Sequence, residues 1–329
     1  MSGESLQDFN RKRKKGYYKD EGTEKYLHHI NAVLQKDERK SYRDLPEEHA
    51  TLFVFGLPRS GTTFMAQLIA HAFNIGYINN FMARFWLAPV TGIRLSGIIL
   101  GSEPAVNFES HYATTSRLDD LHEFGYFWRH WLKKNNIGEI LRSGELEREI
   151  DWEGLKKTVC NIHAAFGNSW ICKNIFGAYH LTKLSQVFSR SFFVYIERDP
   201  LDVAVSIMDA RRKFYGDTSL WWSTIPLEYH KLKGLPADEQ VAGQVWYLRK
   251  FYRQELQKVP PDRVIRISYP EATGDPQQTV ERIRKQVRDI TGTELKQKPG
   301  LPEKFPVRTH GHRRQERERF ARLMEKFEG

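Results

Sequence analysis

Cysteine is almost missing from this chain of 329 residues: only Cys160 and Cys172 occur. That removes a disulfide framework and a cysteine-based zinc site from consideration. Long apolar runs are missing too. The longest, such as Leu52–Phe55 and Phe192–Ile196, fall far short of the roughly 20 residues that cross a bilayer. The N-terminal MSGESLQDFNRKRKKGYYKD carries a basic cluster with no apolar stretch behind it. An ordinary secretory signal is therefore not expected, and a cytoplasmic location is the default. Repeats, low-complexity tracts and Gly/Ser linkers are absent as well, so a single domain is expected. Concentrated charge is also lacking. The net charge is +10, yet residues 1–49 hold 11 Lys/Arg against 10 Asp/Glu, and the excess is spread over the chain. A nucleic-acid arm would gather that charge in one tail or stripe; a diffuse excess suits an anionic small ligand or a solvated surface.

What is present is an apolar fraction of 40%, enough for a substantial core. Residues 1–49 read as a charged surface leader with a helical pattern around Tyr26–Leu34. Short apolar runs at Leu52–Phe55, Gly76–Ile78, Trp170–Cys172, Phe192–Ile196 and Val264–Ile267 read as strands. Asp199-Pro200 and Asp275-Pro276 each place a capping carboxylate before a proline suited to the first helical position. Strands alternating with helices predict a doubly wound, mainly five-stranded parallel sheet with helices on both sides. Residues 81–168 form a long insertion, mostly helical and rich in aromatics. Such an insertion at the carboxyl edge of a parallel sheet is where a substrate site would be built. The stretch Phe214–Leu256, with Trp221, Trp222, Trp246 and Tyr247, reads as a second flap there.

Gly56-Leu57-Pro58-Arg59-Ser60-Gly61-Thr62-Thr63 follows a strand and opens a helix. Successive backbone N–H groups in such a turn, aided by the helix N-terminus, make an anion cradle. The segment has the length of the nucleoside-triphosphate loop GxxxxGK[ST], but Thr62 stands where that loop needs Lys, and the cation is Arg59. The strand Phe192–Ile196 runs into Glu197-Arg198-Asp199 rather than ending on a magnesium-assisting aspartate. A metal-dependent NTPase or kinase is disfavoured on both counts.

PRSGTT at 58–63 resembles the phosphosulfate-binding loop of sulfotransferases that use 3′-phosphoadenosine-5′-phosphosulfate (PAPS). FFVYIERDPLDVAVS at 192–206 resembles their second signature, with Arg198 ending a strand and Ser206 eight residues on. WICKN at 170–174 is similar to the strand whose Lys, here Lys173, lies near the transferred sulfonate. VIRISYPEATGDP at 264–276 is similar to the strand and loop before the last sheet-covering helix. The resemblance implies that Arg59, Ser60, Gly61, Thr62 and Thr63 bind the 5′ end of PAPS. It further implies that Arg198 and Ser206 bind the 3′-phosphate and that Phe64 stacks on adenine. Physically, a ligand with two anionic ends needs two donor clusters, and a guanidinium grips phosphate with a planar fork. Taken singly, Arg198 would equally suit a salt bridge to Asp199 or Glu197, and Phe64 a helix interior.

Sulfonate transfer asks for cations, here Arg59 and Lys173, and for a base to take the acceptor proton. It needs no metal, and no convincing ligand cluster is visible; the His pairs 28/29 and 310/312 sit in polar segments that read as surface. The family's usual bases are missing. Where carbohydrate and tyrosine sulfotransferases have Glu, this chain has Asn79-Asn80, and where the cytosolic phenol enzymes have His, it has Ile175. The stretch 107–128 supplies Glu109, His111, His122 and Glu123 among aromatics; Glu123 is the first candidate base and His111 the second. Near the C-terminus the resemblance implies that a basic loop closes on the 3′-phosphate, through Arg308, Arg313 or Arg314, the alternative being a solvated tail. The expected activity is transfer of sulfonate from PAPS to a hydroxyl or amine of a small-molecule, lipid or glycan acceptor. Two alternatives stay open, a variant nucleotide kinase or NTPase and a non-catalytic protein that binds PAPS or nucleic acid.

Overall fold

A computed structural model describes residues 5–101, 106, 108 and 117–328. Five parallel strands form one sheet: β1 (Thr51–Gly56), β2 (Gly76–Tyr77), β3 (Trp170–Lys173), β4 (Ser191–Glu197) and β5 (Val264–Ser268). The five strands fall at the five apolar runs, and their order in the sheet is β2-β3-β1-β4-β5. The strands are apolar on both faces because both are covered. Phe53, Phe55, Phe193 and Tyr195 face one core, while Leu52, Val54, Val194 and Ile196 face the other.

The helices that matter for the sheet and the site are α1 (Leu6–Arg11), α2 (Glu21–Ser41), α3 (Thr62–Ala72), α4 (Pro89–Leu100), α5 (Gly125–Trp131), α6 (Trp152–Phe166), α7 (Pro200–Phe214), α8 (Ala237–Leu256), α9 (Pro276–Thr291) and α10 (Arg314–Glu325). Apolar side chains of α3 and α9 join the core on one face; those of α5, α6, α7, α8 and α10 join the core on the other. Met65, Leu68 and Ile69 of α3 are fully buried, each worth about 2 kcal/mol by transfer from water. Asp199 and Asp275 cap α7 and α9 by accepting the Leu201 and Gln278 N–H groups at 2.8 Å.

This winding positions the site. From β1 the chain crosses through α3 toward the β2 edge, and from β4 it crosses through α7 and α8 to β5. β1 and β4 are neighbours, with Gly56 beside Ile196. Their carboxyl ends therefore flank the topological switch point, where open α/β sheets form a crevice.

One expectation needs correcting and another refining. The stretch 214–256 is not a free flap: α8 packs on α7 and α10, and Trp221 and Trp222 are buried. The leader lies on the surface as expected, but its helix is longer than the pattern suggests and it is docked rather than detached. Helix α2 runs well beyond Tyr26–Leu34 and is stitched to the insertion by two buried polar side chains. Asn31 Nδ2 donates to the Arg84 carbonyl (2.7 Å) and its Oδ1 accepts from the Leu87 N–H (2.8 Å). The Glu38 carboxylate accepts from the Val90 N–H (2.6 Å) and the Thr91 hydroxyl (2.6 Å), at the N-terminus of α4, where an anion meets the positive end of the helix. A helix with polar residues on its buried face looks solvated by pattern alone.

Candidate active site

The turn after β1 is held open by backbone geometry. The Ser60 N–H donates to the Leu57 carbonyl at 3.0 Å, and Arg59 and Gly61 both take positive φ, 68° and 104°. A side chain at Gly61 would come within 2.6 Å of the Tyr269 ring, so only glycine fits there. A left-handed arginine costs roughly 1 kcal/mol or more; here the strain turns the residue that carries the loop's cation. Arg59 Nε donates to Ser206 Oγ at 3.0 Å, which ties the loop to α7.

Arg198, the residue directly after β4, reaches back to the same loop: its Nη1 donates to the Arg59 carbonyl at 2.8 Å and its Nη2 to the Arg308 carbonyl. It lies over the Tyr269 ring at 4.9 Å. Asp199 and Asp202 both pair with Arg317 of α10. No carboxylate among the described residues pairs with Arg198. Burial, and to a lesser degree the like charge of Arg308, lowers its pKa from the ordinary value, as expected of a desolvated cation without a counter-charge. A cavity of about 230 Å³ opens here, lined by Arg59, Gly61, Thr62, Thr63, Phe64, Arg198 and Arg308. Phe108, Tyr269 and Phe305 complete its aromatic wall, with the Phe64 and Phe305 rings 5.0 Å apart and edge-on. Ser206 is not among the lining residues, its oxygen instead receiving Arg59. Ser60 is fully buried, and Ser60 Oγ and Arg198 Nε are buried without a hydrogen-bond partner, one in each segment that frames the cavity.

The other sequence-nominated groups lie beyond it. Lys173 ends β3, beside Val54 of β1, and its Nζ is ion-paired with Glu123. Glu123 sits just before α5, and Asn174 Nδ2 holds its main-chain carbonyl at 3.1 Å. The carboxylate thus meets a buried lysine rather than the purely aromatic setting that its neighbours suggest. His122 donates no charge: burial pushes its pKa down to about 4, and its Nδ1 accepts the Phe124 N–H at 2.8 Å. His111 and Glu109 lie outside the described residues. Asn79, where related enzymes carry their base, is a buried bridge, accepting from the Met82 N–H and donating to Ser96 Oγ. Arg313 pairs with Asp209 and Glu316, and Arg314 with Glu318, so of the three late arginines only Arg308 reaches the cavity.

The family model of the sulfotransferase family matches residues 51–288. The chain belongs to that family. The fold is shared with sulfotransferase STF1 from Mycobacterium tuberculosis, at 13% identity and a TM-score of 0.54, with 91% of this chain and 84% of that one covered. It is shared too with sulfotransferase STF9 from Mycobacterium avium, at 15% identity and a TM-score of 0.51, with 90% and 72% covered. No curated protein matches the sequence. Family membership favours sulfonate transfer over the nucleotide-kinase reading. Among the described residues no group of three His, Cys, Asp or Glu could hold a metal, and no helix is long and apolar enough to cross a membrane.

Sequence reasoning missed a second, larger cavity of about 550 Å³ that Glu123 and His122 share with the leader. Its walls include Asn10 and Arg13 near α1 and Lys25 and His28 of α2. His28, exposed as expected, also packs edge-on against Trp86 with ring centroids 4.9 Å apart. The leader lies before the family-matched residues, and no motif in it signals a site.

Proposed function

We propose that this sulfotransferase takes its sulfonate from PAPS and delivers it to an acceptor hydroxyl or amine at Glu123. The observation that carries this reading is the contact of Arg198 with the loop that holds Arg59, which brings two cationic segments 139 residues apart to one cavity. The donor set suits a molecule with two anionic ends and a purine. Helix N-terminal N–H groups, Thr62, Thr63 and Arg59 are placed for the 5′ end; Arg198 and Arg308 are placed for the 3′-phosphate; Phe64 and Phe305 offer ring faces and edges for the base. The orphaned Arg198 Nε gives a further donor for which an anion is the natural partner.

When bound, PAPS supplies an activated sulfonate with 3′,5′-ADP as its leaving group. The chain's own part is positioning and proton handling. Ser206 fixes the Arg59 guanidinium through Nε. Glu123 accepts the proton of the acceptor group, and Lys173, held in the ion pair, orients that carboxylate and keeps positive charge beside it as negative charge develops. The chemistry requires no metal.

The test is a thermal-shift and calorimetric comparison of 3′,5′-ADP, ADP and ATP. The expected result is stabilisation by 3′,5′-ADP well beyond the other two, with that preference erased in Arg198→Ala. Equal responses to all three nucleotides would sink the assignment.

A further inference from the structure

The larger cavity is framed by carboxylates that are all engaged and by cations of which three have no carboxylate partner among the described residues. Glu21 pairs with Arg11, Glu24 with Lys19, and Glu123 with Lys173. Arg13, Lys25 and Arg129 also line it, and none of the three pairs with a carboxylate among the described residues. Arg13 packs its guanidinium against the Phe214 ring at 5.7 Å; Arg129 lies 5.4 Å from the Tyr126 ring centre and donates to the Lys134 carbonyl at 3.2 Å. Both guanidiniums are thereby fixed in direction with no carboxylate in direct ion-pair contact among the described residues. Arg13 Nε and Asn10 Oδ1 are buried without hydrogen-bond partners. Buried polar atoms and desolvated cations left in this state are costly unless a ligand completes them.

Beside this polar cavity lies an apolar one of about 150 Å³, which shares Leu6, Arg13 and Phe176 with it and is otherwise walled by residues such as Phe9, Tyr179 and Trp221. Arg13 stands at the junction of the two. We infer that the acceptor is a hydroxylated, acidic amphiphile: an apolar or aromatic body in the smaller cavity, an anionic group met by Arg13, Lys25 and Arg129, and its hydroxyl at Glu123. Two of these cations, Arg13 and Lys25, come from the leader, which precedes the family-matched span 51–288. The leader is therefore the element that sets acceptor preference. This rests on the reading of Glu123 as the base of a sulfotransferase.

The experiment follows 3′,5′-ADP release from PAPS with matched acceptor pairs that differ only in charge, such as 4-(hydroxymethyl)benzoate against its primary amide, and longer aryl and alkyl hydroxy acids against theirs. The acids should exceed the amides in kcat/KM by about tenfold or more, the scale of a charge-assisted hydrogen bond. Arg13→Gln should cut that ratio several-fold. Lys25→Gln, at an exposed position with little bearing on folding, should lower it in the same direction and so guards against misfolding of the first variant. The affinity for 3′,5′-ADP should stay as in the parent. Equal use of acid and amide, preference for the amide, or acids left unused by an enzyme that still binds 3′,5′-ADP overturns the acceptor inference and leaves the donor assignment intact. Failure of 3′,5′-ADP to bind the parent protein removes the underlying reading instead.

Discussion

The cavity beside Arg59 and the cavity beside Glu123 are made in different ways. The first is framed chiefly by two turns, each placed directly after a strand of the sheet, with Arg308 added from the C-terminal segment. The second is assembled from the leader, the segment before α5 and the end of β3, with partners as far apart as Lys19 and Tyr126. The first is backbone-led: a helix N-terminus, a glycine at φ 104° and a capped α7 set its shape. The second is side-chain-led, and its ion pairs decide which charges remain for a ligand. The comparison teaches that one cavity can be built on turns at the carboxyl end of the sheet while another draws part of its wall from the leader, which precedes the family-matched residues.

The sharpest break between the two sides is expected from Glu123→Gln. Turnover should fall by about 10²-fold or more, the range typical of general-base loss, with 3′,5′-ADP affinity unchanged in calorimetry. Full turnover in that variant would move the base elsewhere, with His111 next in line. Arg198→Ala should do the reverse. It should weaken 3′,5′-ADP by roughly 10- to 100-fold, as for loss of hydrogen bonds to a charged group, and leave ATP binding nearly as it was.

A smaller effect tests whether the leader is structural as well as selective. Glu38→Ala leaves the Val90 and Thr91 donors of α4 without their acceptor, and should lower unfolding free energy by about 1–3 kcal/mol, read in urea melts. No change would mean that the leader docks independently of α4. The smallest effect concerns acid. His122 is held neutral with its pKa pushed down to about 4, below the ordinary value near 6.5. The unfolded chain therefore takes up that proton first, so stability should be level above pH 6.5 and decline as pH falls from there toward 4. His122→Gln should flatten part of that decline in pH-dependent melts; an unchanged slope would show that other groups carry it.

The donor side was legible because its information is contiguous. The strand, the glycines, Arg59 and the two threonines follow one another, and Asp199-Pro200 announces the helix that carries Ser206. Asn79 shows the opposite case. In sequence it says only that the usual base is missing there; the fold buries it as a bridge between the Met82 N–H and Ser96. The late arginines read alike in sequence, and only the placement of Asp209, Glu316 and Glu318 separates Arg313 and Arg314 from Arg308.

The amino-acid order by itself determined the parallel sheet, the loop at its switch point and the kinship with sulfotransferases, because strand periodicity, helix caps and turn stereochemistry are short-range properties of the chain. The folded arrangement alone decided that Glu123 meets Lys173 and that a charged leader walls a cavity. These depend on which charges find counter-charges across 50 to 150 residues, and neutralisation is a property of distance in space.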